Sequence, residues 1–238
     1  MIRWYAFSDL DGAKRRWLNA KHHFSFADYY HPERLCHNEL MVVNDDRIAP
    51  YTGFDTHPHR DMEIITYVRE GAISHQDDKG NKGRTAAGSI QVMSAGTGIH
   101  HLEYNLEDEE TSLYQIWIKP ARNGVTPRWE IAEFPKSPAL NKLQLVVSGN
   151  GGAPLQMQQN TRIFVGHLNK DTKIEHLIEG KAYLLISKGN IVVNDLAANK
   201  GDGVAISHEI AVNITAMSDA EVLVIEVPGL QDARKYNV

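Results

Sequence analysis

The sequence predicts an all-β protein built as two tandem antiparallel β-barrels of jelly-roll type with few short helices, and three observations carry that prediction. Short segments rich in β-branched and aromatic residues recur along the chain, clusters of glycine, asparagine and aspartate separate them, and a strand–glycine turn–strand pattern occurs in both halves. With 238 residues, the chain can bury a sizeable apolar core without disulfides. A net charge of −5, from 25 basic and 30 acidic residues spread along the chain, leaves no basic footprint for direct nucleic-acid contact or an anionic membrane. A single cysteine, Cys36, excludes an intramolecular disulfide and is expected to be a small buried hydrophobe in a reducing compartment. Arg3, Asp9, Asp11, Lys14, Arg15 and Arg16 interrupt any apolar leader, and no later run is long enough to span a bilayer, so a soluble cytoplasmic protein is expected.

Taken in chain order, Ser8 to Lys21 is the best helix candidate, with Ser8 as cap and Leu10, Trp17 and Leu18 near one face. Glu63 to Arg69 reads as a strand, and Asp77 to Gly83 supplies the residues of a hairpin turn. Leu113 to Ile118 is the next strand. Pro120, Pro127, Pro135 and Pro138 follow it, forbidding ladder donors and marking a boundary between a unit of residues 1–134 and one of 135–238. Leu143 to Ser148, Tyr183 to Ser187 and Glu221 to Val227 are strands of the second unit, with a turn at Asn199 to Gly203. The segment from Ile64 to Gly71 parallels that from Ala182 to Gly189, and Gly88 to Val92 parallels Gly201 to Ala205.

Nine of the twelve histidines lie at or before His101, and two compact groups stand out: His57-Pro58-His59 and His100-His101-Leu102-Glu103. Side chains alternate along a strand, so His57 shares a face with His59, and His101 shares one with Glu103. Imidazole and carboxylate in this combination suit a divalent transition metal with open positions for a ligand. His100 has the wrong parity to join them. Parity alone leaves two candidate carboxylates, because Glu63 lies four residues beyond His59 and would share its face in an unbroken strand.

The stretches from Gly53 to Tyr67 and from Val92 to Asn105, together with Phe24-Ser25-Phe26-Ala27-Asp28-Tyr29-Tyr30, resemble the pirin family of the cupin superfamily, and especially its bacterial quercetin 2,3-dioxygenase members. The resemblance covers most of the N-terminal half and implies a bicupin. It places the metal ligands at His57, His59, His101 and Glu103, makes Glu63 an outer residue that orients the ligands, and leaves the second barrel without metal, since Glu175 and Leu177 fall opposite His57 and His59. His167, His176 and His208 are then surface or packing residues. Family members often carry serine where this chain has Leu102, a position expected to tune packing. The implied cofactor is one divalent transition metal, iron first, with manganese, nickel, copper or zinc also accommodated. The implied activity is oxidative opening of the heterocyclic ring of a flavonol such as quercetin with O2 and release of CO, Glu103 also taking a substrate proton. The alternative from the same resemblance is a metal- or redox-sensing regulator acting on a protein partner. Either a monomer or a dimer is compatible with the fold.

Overall fold

The computed structural model describes residues 1–133 and 140–228. In chain order its strands are β1 (Ile2–Tyr5), β2 (Leu18–His22), β3 (Leu40–Ile48), β4 (Thr52–His59), β5 (Glu63–Glu70), β6 (Ala72–Asp77), β7 (Lys82–Ala86), β8 (Ser89–Ser94), β9 (Ile99–Asn105), β10 (Thr111–Ile118) and β11 (Arg128–Glu133). After the undescribed stretch come β12 (Lys142–Ser148), β13 (Leu155–Gln156), β14 (Arg162–Leu168), β15 (Lys173–Leu177), β16 (Lys181–Lys188), β17 (Asn190–Val193), β18 (Leu196–Asn199), β19 (Gly203–Ile206), β20 (Ala211–Ala216) and β21 (Ala220–Val227). The predicted strands all lie within this series. Among the described residues no helix is long and apolar enough to cross a membrane.

Four sheets form two barrels. In the first, a six-stranded sheet of order β11-β8-β5-β10-β3-β2 faces a four-stranded sheet of order β4-β9-β6-β7. In the second, β1-β19-β16-β21-β14-β12-β13 faces β15-β20-β17-β18. The repeated glycines explain the shared plan: Gly71 (φ 75°) and Gly189 (φ 76°) turn β5 into β6 and β16 into β17, and a Cβ at either would meet Thr111 Oγ1 at 2.5 Å or the Asp219 carbonyl at 2.3 Å.

Alternation along the large sheets divides their side chains between two cores. Ile65, Tyr67, Ile90, Val92, Tyr114 and Ile116 point out of the first barrel and pack with Val147, Ile163, Tyr183, Leu185, Leu223 and Ile225 of the second, so the two large sheets share one apolar layer. Full burial of each aliphatic side chain contributes roughly 1.5–3 kcal/mol. Polar contacts tie the layer together: Tyr67 Oη donates to Glu221 Oε1 at 2.9 Å, Ser187 Oγ donates to the same oxygen at 2.6 Å, and Arg69 pairs with Asp45 beneath Tyr114. Ile64, Val68 and Leu113, of opposite parity, line the first barrel's interior instead.

Three expectations are corrected here. Ser8 to Lys21 is not a helix: only Phe7–Asp9 forms a 3-10 turn, without a side-chain cap, and β2 begins at Leu18. The chain folds back on itself, with the amides of Ala20 and His22 donating to the carbonyls of Ala13 and Asp11, and Leu18 and Ala20 enter the core with period two. Burial of that alternating face against β3 and β6 outweighs the weak helical periodicity. Second, β1 belongs to the second barrel's sheet, Ile2 pairing with Ile206, although it precedes the boundary at 134/135. That boundary, with Pro135 and Pro138, lies outside the described residues. Third, Cys36 is exposed.

Candidate metal centre

The first barrel's clustered histidines and Glu103 come from β4, β6 and β9. A bulge between Phe54 and His57 in the pairing of β4 with β9 is the decisive local feature. Phe54 packs in the barrel core, and three positions later His57 would face outward on a regular strand; the extra residue turns it back in. His57 then pairs across the ladder with His101.

His57, His59 and His101 can each offer one nitrogen within 4.8 Å of the other two. His57 Nε2 and His101 Nε2 face each other at 3.0 Å. His57 Nδ1 donates to the Asp55 carbonyl at 2.7 Å, so its proton is on Nδ1 and its Nε2 presents a lone pair to the site. Burial, then the neighbouring His57, pushes His59 down to about 4. Burial, then His57, His59 and His75, pushes His101 down to about 2. His59 and His101 are therefore poised as neutral imidazoles at neutral pH, the form a metal requires. Two imidazole nitrogens facing at this separation, with a third beside them, fit a cation between them. The donor set is that of a first-row transition ion rather than of calcium or magnesium.

Glu103 sits in a second, overlapping group with His101 and His75, within the same 4.8 Å limit. Its Oε1 accepts from Gln91 Nε2 at 2.6 Å and from Thr66 Oγ1 at 3.4 Å, and its Oε2 accepts from Gln115 Nε2 at 2.8 Å. Gln91 is held by Thr85 Oγ1 at 2.8 Å, and Gln115 by Trp117 Nε1 at 3.1 Å. Burial pushes the Glu103 carboxyl upward against the opposite pull of His75, His57, Thr66 and Gln91.

Glu63 is elsewhere. It shares the parity of Ile65 and Tyr67, faces the second barrel, and accepts from Ser94 Oγ at 2.7 Å and from the Gln158 amide at 3.0 Å. The expected role in orienting the histidines is thereby corrected. Parity does not carry from His59 to Glu63, because Asp61 (φ 48°) turns the chain between β4 and β5. His100 points outward toward Asp78, and Leu102 is half-buried. Among the described residues both candidate metal groups lie in the first barrel. In the second, Leu177 is exposed and His176 Nε2 donates to Glu226 Oε1 at 2.6 Å.

Sequence reasoning did not single out His75, Asp77, Gln91, Gln115 or Trp117. His75 and Asp77 carried the same spacing-of-two signal as the chosen pairs; Gln91 entered only as part of the repeated segment from Gly88 to Val92. The mouth of the site is aromatic: His59 packs edge-on to Trp117 at 4.9 Å, Trp117 to Phe26 at 5.4 Å, and Phe26 to His22 at 5.3 Å. Phe26 brings the segment from Phe24 to Tyr30 to the centre.

Comparison with known proteins gives a consistent picture. The family model described as Pirin matches residues 7–118, and that described as quercetinase C-terminal cupin domain matches residues 145–227. A pirin-like protein of Caulobacter vibrioides is 46% identical over 230 residues, spanning 95% of this chain and 99% of its own length. The quercetin 2,3-dioxygenase of Escherichia coli K12 is 45% identical over 220 residues, spanning 91% of this chain and 94% of its own. The crystal structure of the bacterial pirin YhhW from Escherichia coli in complex with nickel(II) superposes with a TM-score of 0.91 at 43% identity, covering 97% of this chain and 100% of that one.

Proposed function

Because this chain belongs to the pirin family, with the cupin fold described above, we propose that it is a metal-dependent dioxygenase that opens the heterocyclic ring of flavonols such as quercetin with O2 and releases CO. The observation that carries the reading is the convergence of three imidazoles, with His57 Nε2 3.0 Å from His101 Nε2, beside a buried carboxylate and beneath an aromatic mouth. Relatives named quercetin 2,3-dioxygenase support it.

His57, His59 and His101 hold the ion in this proposal, with Glu103 as fourth ligand and iron as the metal. A bound ion supplies Lewis acidity that lowers the pKa of a coordinated hydroxyl. The chain's own groups do the rest. Glu103, its pKa pushed up by burial, takes the proton of the substrate's enolic hydroxyl, and the amides of Gln91 and Gln115 hold the carboxyl in place while it does so. Trp117 and Phe26 offer faces and edges against which a flat polyphenol packs, and they exclude water from the reacting end.

The test is turnover. Protein loaded in turn with iron, manganese, nickel and copper is incubated with quercetin under air and under nitrogen, following flavonol absorbance and CO. Oxygen-dependent quercetin loss with CO release is expected, together with a single ion per chain that His101→Ala abolishes. Quercetin left intact with every metal would overturn the oxygenase reading in favour of a metal-sensing regulator.

A further inference from the structure

We propose that His75 and Asp77 are positioning residues for the metal centre: together they set His101 in the tautomer whose Nε2 lone pair faces His57, so that the site is prepared for a cation before one arrives. The proposal rests on the metal-centre reading above and extends it to two residues outside the ligand set.

Three contacts carry it. His101 turns its second nitrogen, Nδ1, toward His75 Nδ1 at 3.3 Å. His75 in turn places Nε2 2.9 Å from Asp77 Oδ2, with both side chains fully buried. Asp77 is fixed from the other side: its Oδ1 accepts from the amides of Lys79 at 2.9 Å and Asn81 at 3.0 Å, and its Oδ2 accepts from Asn81 Nδ2 at 2.8 Å. Burial raises the Asp77 carboxyl, but the bonds from His75, Asn81 and Lys79 outweigh it and leave the group lowered.

The proton positions follow in sequence. A carboxylate only accepts, so the nitrogen facing Asp77 carries a hydrogen, and the proton of His75 is on Nε2. In the neutral imidazole His75 Nδ1 is then an acceptor, and the nitrogen facing it, His101 Nδ1, is the donor. That leaves His101 Nε2 as a lone pair 3.0 Å from the lone pair of His57 Nε2, whose own tautomer is set by the Asp55 carbonyl. Two acceptors held face to face repel until a cation lies between them. Outer hydrogen bonds of this kind orient ligands and raise their basicity, and their loss lowers metal affinity about 10- to 100-fold.

Packing alone accounts for only part of this arrangement. The His75 ring stacks on Trp129 at 4.6 Å and 9°, and Gly83 makes room for that indole, since a Cβ there would lie 2.4 Å from Cη2. Stacking places the ring plane; it does not require either nitrogen to meet a partner.

Asp77→Asn separates the two roles. The Lys79 and Asn81 amides keep the substituted residue's carbonyl at the Oδ1 position, which points its NH2 at His75 Nε2. The relay then reverses: His75 carries its proton on Nδ1, and His101 carries its own on Nε2, where the ion should bind. Histidine-labelled full-length protein, free of metal, is observed by proton–nitrogen NMR near pH 7.5, with His101→Gln assigning the resonance. Nickel(II) affinity is measured by calorimetry on the same proteins. His101 is expected to be protonated on Nδ1 in the wild type and on Nε2 in Asp77→Asn. The nickel dissociation constant should rise about 10- to 100-fold in Asp77→Asn and in His75→Phe, which keeps a ring against Trp129. Wild-type His101 protonated on Nε2, or nickel affinities within twofold of wild type in the folded variants, would overturn the proposal. Should His75→Phe not fold, Asp77→Asn decides, since it keeps the oxygen that the Lys79 and Asn81 amides meet and gives up only the bond from Asn81 Nδ2. If wild-type protein binds no nickel, the metal-centre reading fails, and the metal-free spectrum still judges the relay.

Discussion

At position 63 a carboxylate faces the second barrel, and this orientation determines what its substitution should do. Glu63 touches Ser94 and Gln158 rather than a histidine, and burial, against the bonds from Gln158 and Ser94, raises its pKa. A carboxyl raised on folding binds its proton more tightly in the folded chain, so its contribution is complete below the unfolded value near 4.5 and is lost as pH rises through the folded value. Glu63→Gln cannot ionise. Its melting temperature relative to wild type is therefore expected to climb as pH increases from about 4.5, while nickel affinity stays within twofold; calorimetry across pH and a nickel titration check the two parts. The candidate ligands were legible because each pair lies two apart, a spacing that survives inside a strand. Glu63 was misjudged where that rule meets a turn, at Asp61. Gln91 and Gln115 were illegible for another reason: a buried amide has no sequence signature until the carboxylate it holds is placed beside it.

Strands and turns were more readable than their partners. The glycines at 71 and 189 announced turns because only they adopt those backbone angles cheaply, and both turns are present. The segment before β2 misled because Leu10, Trp17 and Leu18 mimic a helical face, whereas their burial depends on β3, which lies far along the chain. β1 gives no hint in its own residues that it pairs with β19. Asp202 anchors that pairing: it accepts from Trp4 Nε1 at 2.9 Å, the Phe7 amide at 2.8 Å and the Asn199 amide at 2.8 Å. Asp202→Ala leaves these half-buried donors unmet, at a cost of about 1–3 kcal/mol. Thermal unfolding should show a fall of roughly 2–12 °C, with faster hydrogen exchange at Trp4 and Ala205.

For the molecule as a whole, the apolar layer between the large sheets makes the two barrels one cooperative unit. Three of the four tryptophans, Trp17, Trp117 and Trp129, belong to the first barrel, and Trp4 sits on β1 in the second, so tryptophan fluorescence reports chiefly on the first barrel. Leu184 is buried in the second barrel's own core. Leu184→Ala should cost about 2–5 kcal/mol and shift the tryptophan midpoint in urea as far as the midpoint of total β signal; a lagging tryptophan signal would show that the barrels unfold separately. The first strand sharpens the point. Ile2 is made well before its partner Ile206, which follows roughly 10–40 s later at about 5–20 residues per second. During that interval β1 has no ladder to join, and the nascent first barrel holds its outer apolar face open. The second barrel's large sheet is therefore completed by a strand made before the whole of the first barrel.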